Sequence, residues 1–479
     1  MVVSQKDQEK DNQKDSDYAA QRLGTEPVGK LLMRFSIPAM GGMLLNALYN
    51  IVDRVFVGRG VHEIALGGVS LVMPLMTISM AFAMLFGIGA ANMISMRLGQ
   101  GRKEDAENAL NHCILLLIGV GALITVFGLL FLEPILSTLG AREGGQALGY
   151  AREYFTIILY GQIFFQVSFG LSHTSRAQGF PMVSLLGMVL GAGINTILDP
   201  IFIFVFHWGV KGAAYATIIS QFCASVWVVY FSASKKAVIR IKRSSFKPSF
   251  SILKSILMFG CSNALLQFAM SAVQLVLNKN IGKYGIVGLG VPNGDEIALS
   301  GLNIVYAVLM LILMPVFGIN QGAQPVLGFN YGAKKYDRVK SAFKRAIFAA
   351  TCICTAGFFI AEIFPKAIVH LFAPKGSSAL LEFTPIAMRV TFAIVPFVGF
   401  QIVATNMFVV TGRPKTSIFL SLIRQVIVLI PCIIIFGRIW GLYGVICAQP
   451  VADLVALCVT TIFIARELRK LSLQAANAL

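Results

Sequence analysis

Charge is what this sequence has least of. Asp, Glu, Lys and Arg make up 13% of its 479 residues, where soluble domains devote about a quarter to them, so most of the chain cannot face water. Acids are the scarcer sign, 22 against 40 basic residues, and only Asp53, Asp199 and Asp453 fall well inside apolar runs. The sequence also lacks a Walker loop, an H-E-x-x-H pair, a nucleophile elbow and a G-x-G-x-x-G turn after a strand. Those absences exclude ATP-driven pumping and the common hydrolase and dehydrogenase chemistries. No enzyme activity and no cofactor are expected. The five histidines are scattered, and the eight cysteines sit inside apolar runs without ligand spacing, so they read as packing residues. Residues 1–30 have neither the apolar stretch nor the cleavage site of a signal peptide, and read as a disordered cytoplasmic tail.

What is present is apolar length. Hydrophobic residues reach 56%, and runs such as Cys113 to Phe131 (CILLLIGVGALITVFGLLF) match the roughly 30 Å hydrocarbon core of a bilayer. Apolar length, punctuated by Gly, Pro and charge, places helices near 31–58, 66–98, 108–138, 150–176, 181–206 and 210–234, then near 251–282, 298–328, 341–372, 380–410, 414–438 and 440–467. The fold class is an all-α membrane protein of twelve spans. The net charge of +18 would suggest nucleic acid in a soluble protein, but it is spread over short clusters at every second connection, around Arg97 to Lys103, Lys235 to Lys247, Lys334 to Arg345 and Arg466 to Lys470. That is the positive-inside pattern of cytoplasmic loops, so nucleic acid is excluded as a partner. An even number of spans puts both termini in the cytoplasm, in a multi-pass protein of the plasma (inner) membrane.

The second half repeats the first in the same direction at an offset of 233 residues: Ala65-Leu66-x-Gly68 meets Ala298-Leu299-x-Gly301, and Gly179-Phe180-Pro181 meets Gly412-Arg413-Pro414. One residue out of register, Trp208-Gly209-x-x-Gly212 meets Trp440-Gly441-x-x-Gly444. The expected organisation is a tail (1–30), an N-lobe (31–234), a basic linker (235–250), a C-lobe (251–467) and a second tail (468–479). Two six-helix bundles in one orientation are related by a pseudo-two-fold axis along the membrane normal. They enclose a central cavity, a plan suited to alternating access around a site at mid-depth.

Polar side chains at that depth are costly, about 2.5 to 3.5 kcal/mol for an Asp at the centre, and each needs a reason. Asn46, Tyr49, Asn50 and Asp53 are spaced i, i+3, i+4, i+7 and share one helical face. Asn195 with Asp199 and Thr217 with Gln221 are i, i+4 pairs on the next candidate helices. Carboxylate, amide and hydroxyl oxygens converging there would suit Na⁺, and the same carboxylates could carry H⁺. Interhelical hydrogen bonding is the other reading of these groups. Of the histidines only His173 lies near the expected cavity. Arg54, turned about 100° from Asp53, snorkels. Arg424 and Asp453 form a candidate C-lobe pair, either static or gating.

Leu48-Tyr49-Asn50-Ile51-Val52-Asp53 resembles the first helix of the multidrug and toxic compound extrusion (MATE) family. The same is true of Arg176-Ala177-Gln178-Gly179, Asn195-x-x-x-Asp199-Pro200, Gly212-Ala213-Ala214-x-Ala216-Thr217 and Gln321-Gly322-x-Gln324-Pro325-x-x-Gly328-x-Asn330-Tyr331-Gly332. The resemblance runs from about residue 27 to 468. It implies two lobes forming a V, and export of amphiphilic, often cationic small molecules by Na⁺ or H⁺ antiport, by a monomer in the bilayer. It also implies a cation-coupling site that falls here on Asp53, Asn195, Asp199 and Thr217, next to a substrate cavity at Asn46, Tyr49, Asn50, Gln221 and His173. NorM-like members carry mid-span acids in the seventh and tenth helices. Here only Glu382, at a helix end, comes close, so the chain looks nearer the MepA-like and DinF-like branches. A lipid-linked saccharide flippase of the same superfamily is the alternative.

Overall fold

The computed structural model describes residues 21–60, 63–138, 146–242, 247–372 and 378–476; for 49–55, 57–60, 63–67, 138 and 146 it describes the backbone alone. The described residues are helical almost throughout, as lipid requires: each span must satisfy its own backbone N–H and C=O groups. The first half contains α1 (Val28–Gly60), α2 (Glu63–Gly99), α3 (Lys103–Leu130), the short α4 (Leu132–Thr138), α5 (Gln146–Tyr160), α6 (Gln162–Ala177), α7 (Pro181–Pro200) continued by a π-helical turn (Ile201–Val205), and α8 (Gly209–Ala233). The second contains α9 (Phe250–Leu289), α10 (Gly294–Gly332), α11 (Tyr336–Ile363), the short α12 (Pro365–Phe372), α13 (Ser378–Phe392), α14 (Val395–Val410), α15 (Pro414–Leu422) continued by a π-helical turn (Ile423–Val428), and α16 (Leu429–Ala476).

Nine described stretches are long and apolar enough to cross a bilayer, and two bent pairs, α5–α6 and α13–α14, bring the count to eleven. The twelfth span comes from the stretch Pro414–Ala476, 63 residues in all, which would be about 95 Å long if straight. Gly441, at φ 61° and ψ −138°, folds it back on itself. The sequence pattern expects 150–176 and 380–410 as unbroken helices, and here the structure differs. The first pair bends by 58° and the second by 46°. Gly161 separates α5 from α6 where Ile218 of α8 presses close enough to clash with any Cβ. At the second break Pro396 stands in the first turn of α14, where its missing N–H does no harm, although it cannot continue α13. The segment expected as a tail from 468 is instead helical as far as Ala476.

The backbone repeats as the sequence does. Helices α3 and α11 have 28 residues each, α5 and α13 have 15, and α6 and α14 have 16. The Gly-x-Pro motif turns out to be a helix stop and start. Gly179 (φ 102°) and Gly412 (φ 78°) close α6 and α14 in the left-handed region, with Phe180 N–H donating to Ser175 O and Arg413 N–H to Phe408 O. The following Pro181 and Pro414 open α7 and α15. Gly209 and Gly441, again with positive φ, turn the corner between the last two spans of each half.

Across the pseudo-two-fold axis, α1 packs on α10, α2 on α9, and α2 on α10. The closest approaches between lobes cluster on the face that carries the N-terminal segment and the basic linker. There a Cβ on Gly99 would strike Phe329 O and one on Gly332 would strike Met96 O, two contacts related by the repeat. Gly89 lies against Ile256, Gly260 against Leu85, Gly322 against Ser36 and Gly318 against Met40. Gln324 Nε2 donates to Asn92 Oδ1 at 2.6 Å across the same seam. At the opposite face the tight glycine contacts stay within a lobe: Gly68 on Ala147 and Tyr150, Gly285 on Asp295, Gly288 on Leu442.

Two clasps reinforce the closed face. Ahead of α1, the carbonyls of Leu23, Gly24 and Glu26 accept from Asn330 (2.8 Å), Lys335 (2.9 Å) and Arg338 (2.6 Å) of the C-lobe. Ahead of α9, Asn108 pairs with both backbone groups of Lys247, Asn111 donates to Lys242 O at 2.9 Å, and Ser249 N–H donates to His112 Nε2 at 3.3 Å. Each lobe is thus held by the lead-in segment of the other lobe's first helix.

Candidate functional site: buried carboxylates in two matching hairpins

In the N-lobe the polar groups that come together lie on the hairpin of α7 and α8. Asp199 is completely buried and Asn195, one turn earlier, is 1% exposed. With its amide NH₂ turned towards the carboxylate, Asn195 donates to Asp199 Oδ2 at 2.8 Å, and its oxygen accepts from Thr217 N–H at 3.3 Å. In the opposite rotamer Asn195 Nδ2 stands 3.4 Å from both Asp199 Oδ1 and Thr217 Oγ1. Thr217 Oγ1 donates to Ala213 O at 2.9 Å, leaving its lone pairs towards the amide. The i, i+4 spacing of Asn195 and Asp199 is what places them on one face of α7. Gln221, a turn beyond Thr217, is half-buried.

Asp53 lies in α1, but its side chain, with those of Tyr49, Asn50 and Arg54, is outside the described residues. Asn46, earlier on α1, is exposed. His173 does not join the cluster. It lies one turn from the end of α6, whereas Asp199 is 18 residues into α7, about 27 Å along that helix. Its Nδ1 accepts from Arg176 Nη2 at 2.8 Å, and Arg176 donates in turn to Ser184. This buried His173–Arg176–Ser184 cluster ties α6 to α7 near the closed face. Among the described residues, no three His, Cys, Asp or Glu side chains converge as a metal site would require.

The matching C-lobe hairpin, α15 with α16, also holds a buried carboxylate, paired with an arginine. Arg424 Nε donates to Asp453 Oδ1 at 2.7 Å, and Gln449 Nε2 donates to Oδ2 at 3.1 Å. Gln401 of α14 donates to the Asp453 carbonyl at 2.6 Å. Asp453 is 2% exposed. Sequence reading finds Arg424 and Asp453 but passes over both glutamines. Gln449 had a signal, its i, i+4 spacing to Asp453; Gln401 had none, because it arrives from another span.

Two six-span halves, duplicated in parallel and carrying buried carboxylates at matching hairpins, define a polytopic membrane transporter. A family profile, MatE, matches residues 38–201 and 264–434, and the chain belongs to that family. It is 28% identical over 432 residues to the multidrug export protein MepA of Staphylococcus aureus (strain N315), covering 90% of this chain and 92% of MepA. To MepA of Staphylococcus haemolyticus (strain JCSC1435) it is 28% identical over 426 residues, 89% and 91% of the two chains. Among solved structures, an outward-facing multidrug resistance MATE transporter of the MOP superfamily superposes with a TM-score of 0.87 at 28% identity, over 94% of this chain and 98% of the other. A MOP superfamily transporter from Pyrococcus furiosus gives 0.86 at 28% identity and the same coverage.

Proposed function

We propose that this chain exports amphiphilic, often cationic small molecules in exchange for H⁺ or Na⁺, and that Asp53, Asn195, Asp199 and Thr217 hold the coupling ion. One observation carries the reading: the wholly buried Asp199 carboxylate comes together with the Asn195 amide and Thr217 on one hairpin, bringing carboxylate, amide and hydroxyl oxygens to one place. A carboxylate that far from water calls for a cation or a proton beside it. In the C-lobe, Asp453 is bound by Arg424, so coupling is assigned to the N-lobe alone. Substrate binding is assigned to Asn46, Tyr49 and Asn50 of α1 and Gln221 of α8, which share helices with the ion-coupling residues.

With the basic linker in the cytoplasm, the face closed by the glycine seam and both clasps is the cytoplasmic one, which supports reading this arrangement as the outward-facing state. In that state the carboxylates take up the coupling ion. Rocking of the lobes then carries it inward, where substrate replaces it. The protein acts as a monomer in the plasma membrane, since the path lies between its own lobes.

The test is transport in proteoliposomes. A lipophilic fluorescent cation should move against its gradient when an inward H⁺ or Na⁺ gradient is imposed. Asp199→Asn, which keeps the volume and removes the charge, should reduce this to background while leaving the protein inserted and folded. Adding Asp53→Asn should make it little worse, because residues that share one ion act as a unit. Normal gradient-driven efflux by Asp199→Asn would sink the ion assignment. Movement of a lipid-linked saccharide, with no response to either gradient, would favour the flippase alternative.

A further inference from the structure

The two lobes treat one groove differently. In the N-lobe the start of α3 is occupied: Asn108, Asn111 and His112 hold the backbone of the linker between Lys242 and Ser249. The residues at the same places in the repeat, 233 positions later, are Ser341, Lys344 and Arg345 at the start of α11. Among the described residues they hold no such strand by hydrogen bonds. With Asp337, Lys340, Leu468, Arg469 and Ser472 they line a groove of about 580 Å³ between the start of α11 and the end of α16. Neutral hydrogen-bonding groups that grip a backbone have been replaced by cations.

We propose that this groove is a binding site for the phosphate headgroup of an anionic phospholipid in the cytoplasmic leaflet. Three features select that ligand. Charge is the first. Lys340 is engaged with Asp337 at 2.8 Å, but among the described residues Lys344, Arg345 and Arg469 have no carboxylate within salt-bridge reach. Hydrogen-bonding geometry is the second: the Ser341 hydroxyl lines the groove beside the cations and adds a donor of the kind phosphate oxygens accept, while Ser472 donates to Leu468 O at 2.9 Å and accepts from Lys340 Nζ at 3.4 Å, holding that ammonium at the rim. Depth is the third. The apolar run of α11 begins at Ala346, directly after Arg345, and that of α16 ends at Ala465, directly before Arg466. The groove therefore sits at the level where acyl chains give way to headgroups, and Leu468 offers an apolar wall to the glycerol end. Basic pockets between spans on the cytoplasmic side are where such headgroups bind, each nearby Lys or Arg strengthening the attraction.

The test uses the full chain in nanodiscs of phosphatidylcholine with a minor fraction of phosphatidylglycerol. Native mass spectrometry after detergent release should show phosphatidylglycerol retained in preference to phosphatidylcholine. Lys344→Gln with Arg469→Gln should weaken that preference about thirtyfold. Arg345 is left alone because its guanidinium lies against Gly29 of the other lobe. The charge-keeping pair Lys344→Arg and Arg469→Lys should retain lipid as the parent does, and Lys235→Gln with Lys236→Gln, in the other basic cluster, should change nothing. Equal retention of the two lipids, or an equal loss from the Lys235 and Lys236 variant, would overturn a specific site. Millimolar inorganic phosphate that emptied the groove of lipid while itself binding with higher affinity would reassign it to a soluble phosphate and overturn the lipid proposal.

Discussion

Asp199 and Asp453 are buried carboxylates on matching hairpins. Asp453 is answered by Arg424, so removing the guanidinium strands a buried carboxylate. Arg424→Ala should cost about 3 to 5 kcal/mol of stability, read as a lowered thermal midpoint in detergent. Arg424→Ala combined with Asp453→Ala should recover most of that loss, because no charge is then left uncompensated. A double variant as unstable as the single would mean that packing, not charge, makes the pair matter. At this scale much was visible in the sequence. An acid inside an apolar run is conspicuous, and a helix turns an i, i+4 spacing such as Asn195 to Asp199 into a shared face. Partners on another span leave no such trace, which is why Gln401 and the Arg176 link to Ser184 emerge only in three dimensions.

At the scale of elements, the glycine seam sets how closely α2, α9 and α10 approach. A Cβ on Gly99 or Gly260 would fall inside the backbone of the facing lobe, and overpacking of that kind costs about 1 to 3 kcal/mol. That is enough to shift an equilibrium between closed and open faces by roughly 5- to 150-fold. Gly99→Ala and Gly260→Ala should therefore lengthen the distance between spin labels at exposed Gln100 and Lys334, one in each lobe. Gly149→Ala, whose Cβ meets nothing, should not. An unchanged distribution in both seam variants would show that the glycines do not gate the closed face. The Gly-x-Pro and Trp-Gly-x-x-Gly punctuation was legible because a left-handed corner and a helix start each demand a particular residue. The bends at Gly161 and Pro396 were hidden inside runs apolar on every side, where periodicity gives no boundary.

At the scale of the whole molecule, orientation is the quantity still to be measured. A cysteine at Lys211, which pairs with Glu153 at 3.3 Å on the face opposite the glycine seam, should react with an impermeant maleimide added to intact cells. One at Lys242, on the closed face, should react only after permeabilisation. The opposite pattern would invert the topology and turn export into import. The duplication was plain in the sequence, since like-charged loops at alternate connections and a fixed offset leave few other arrangements, whereas which face is shut depends on contacts between lobes that no single segment encodes. The corner at Gly441 bears on how the protein is made. Between Arg424 and Asp453 the chain carries one further charge, Arg438, and no hydrophilic loop, so the insertion machinery receives the last two spans as a single apolar stretch. They must enter the bilayer together as a folded-back hairpin. In that hairpin Arg424 and Asp453 meet before either has to face lipid alone, and a nascent chain halted short of Asp453 would present the arginine to the membrane with nothing to neutralise it.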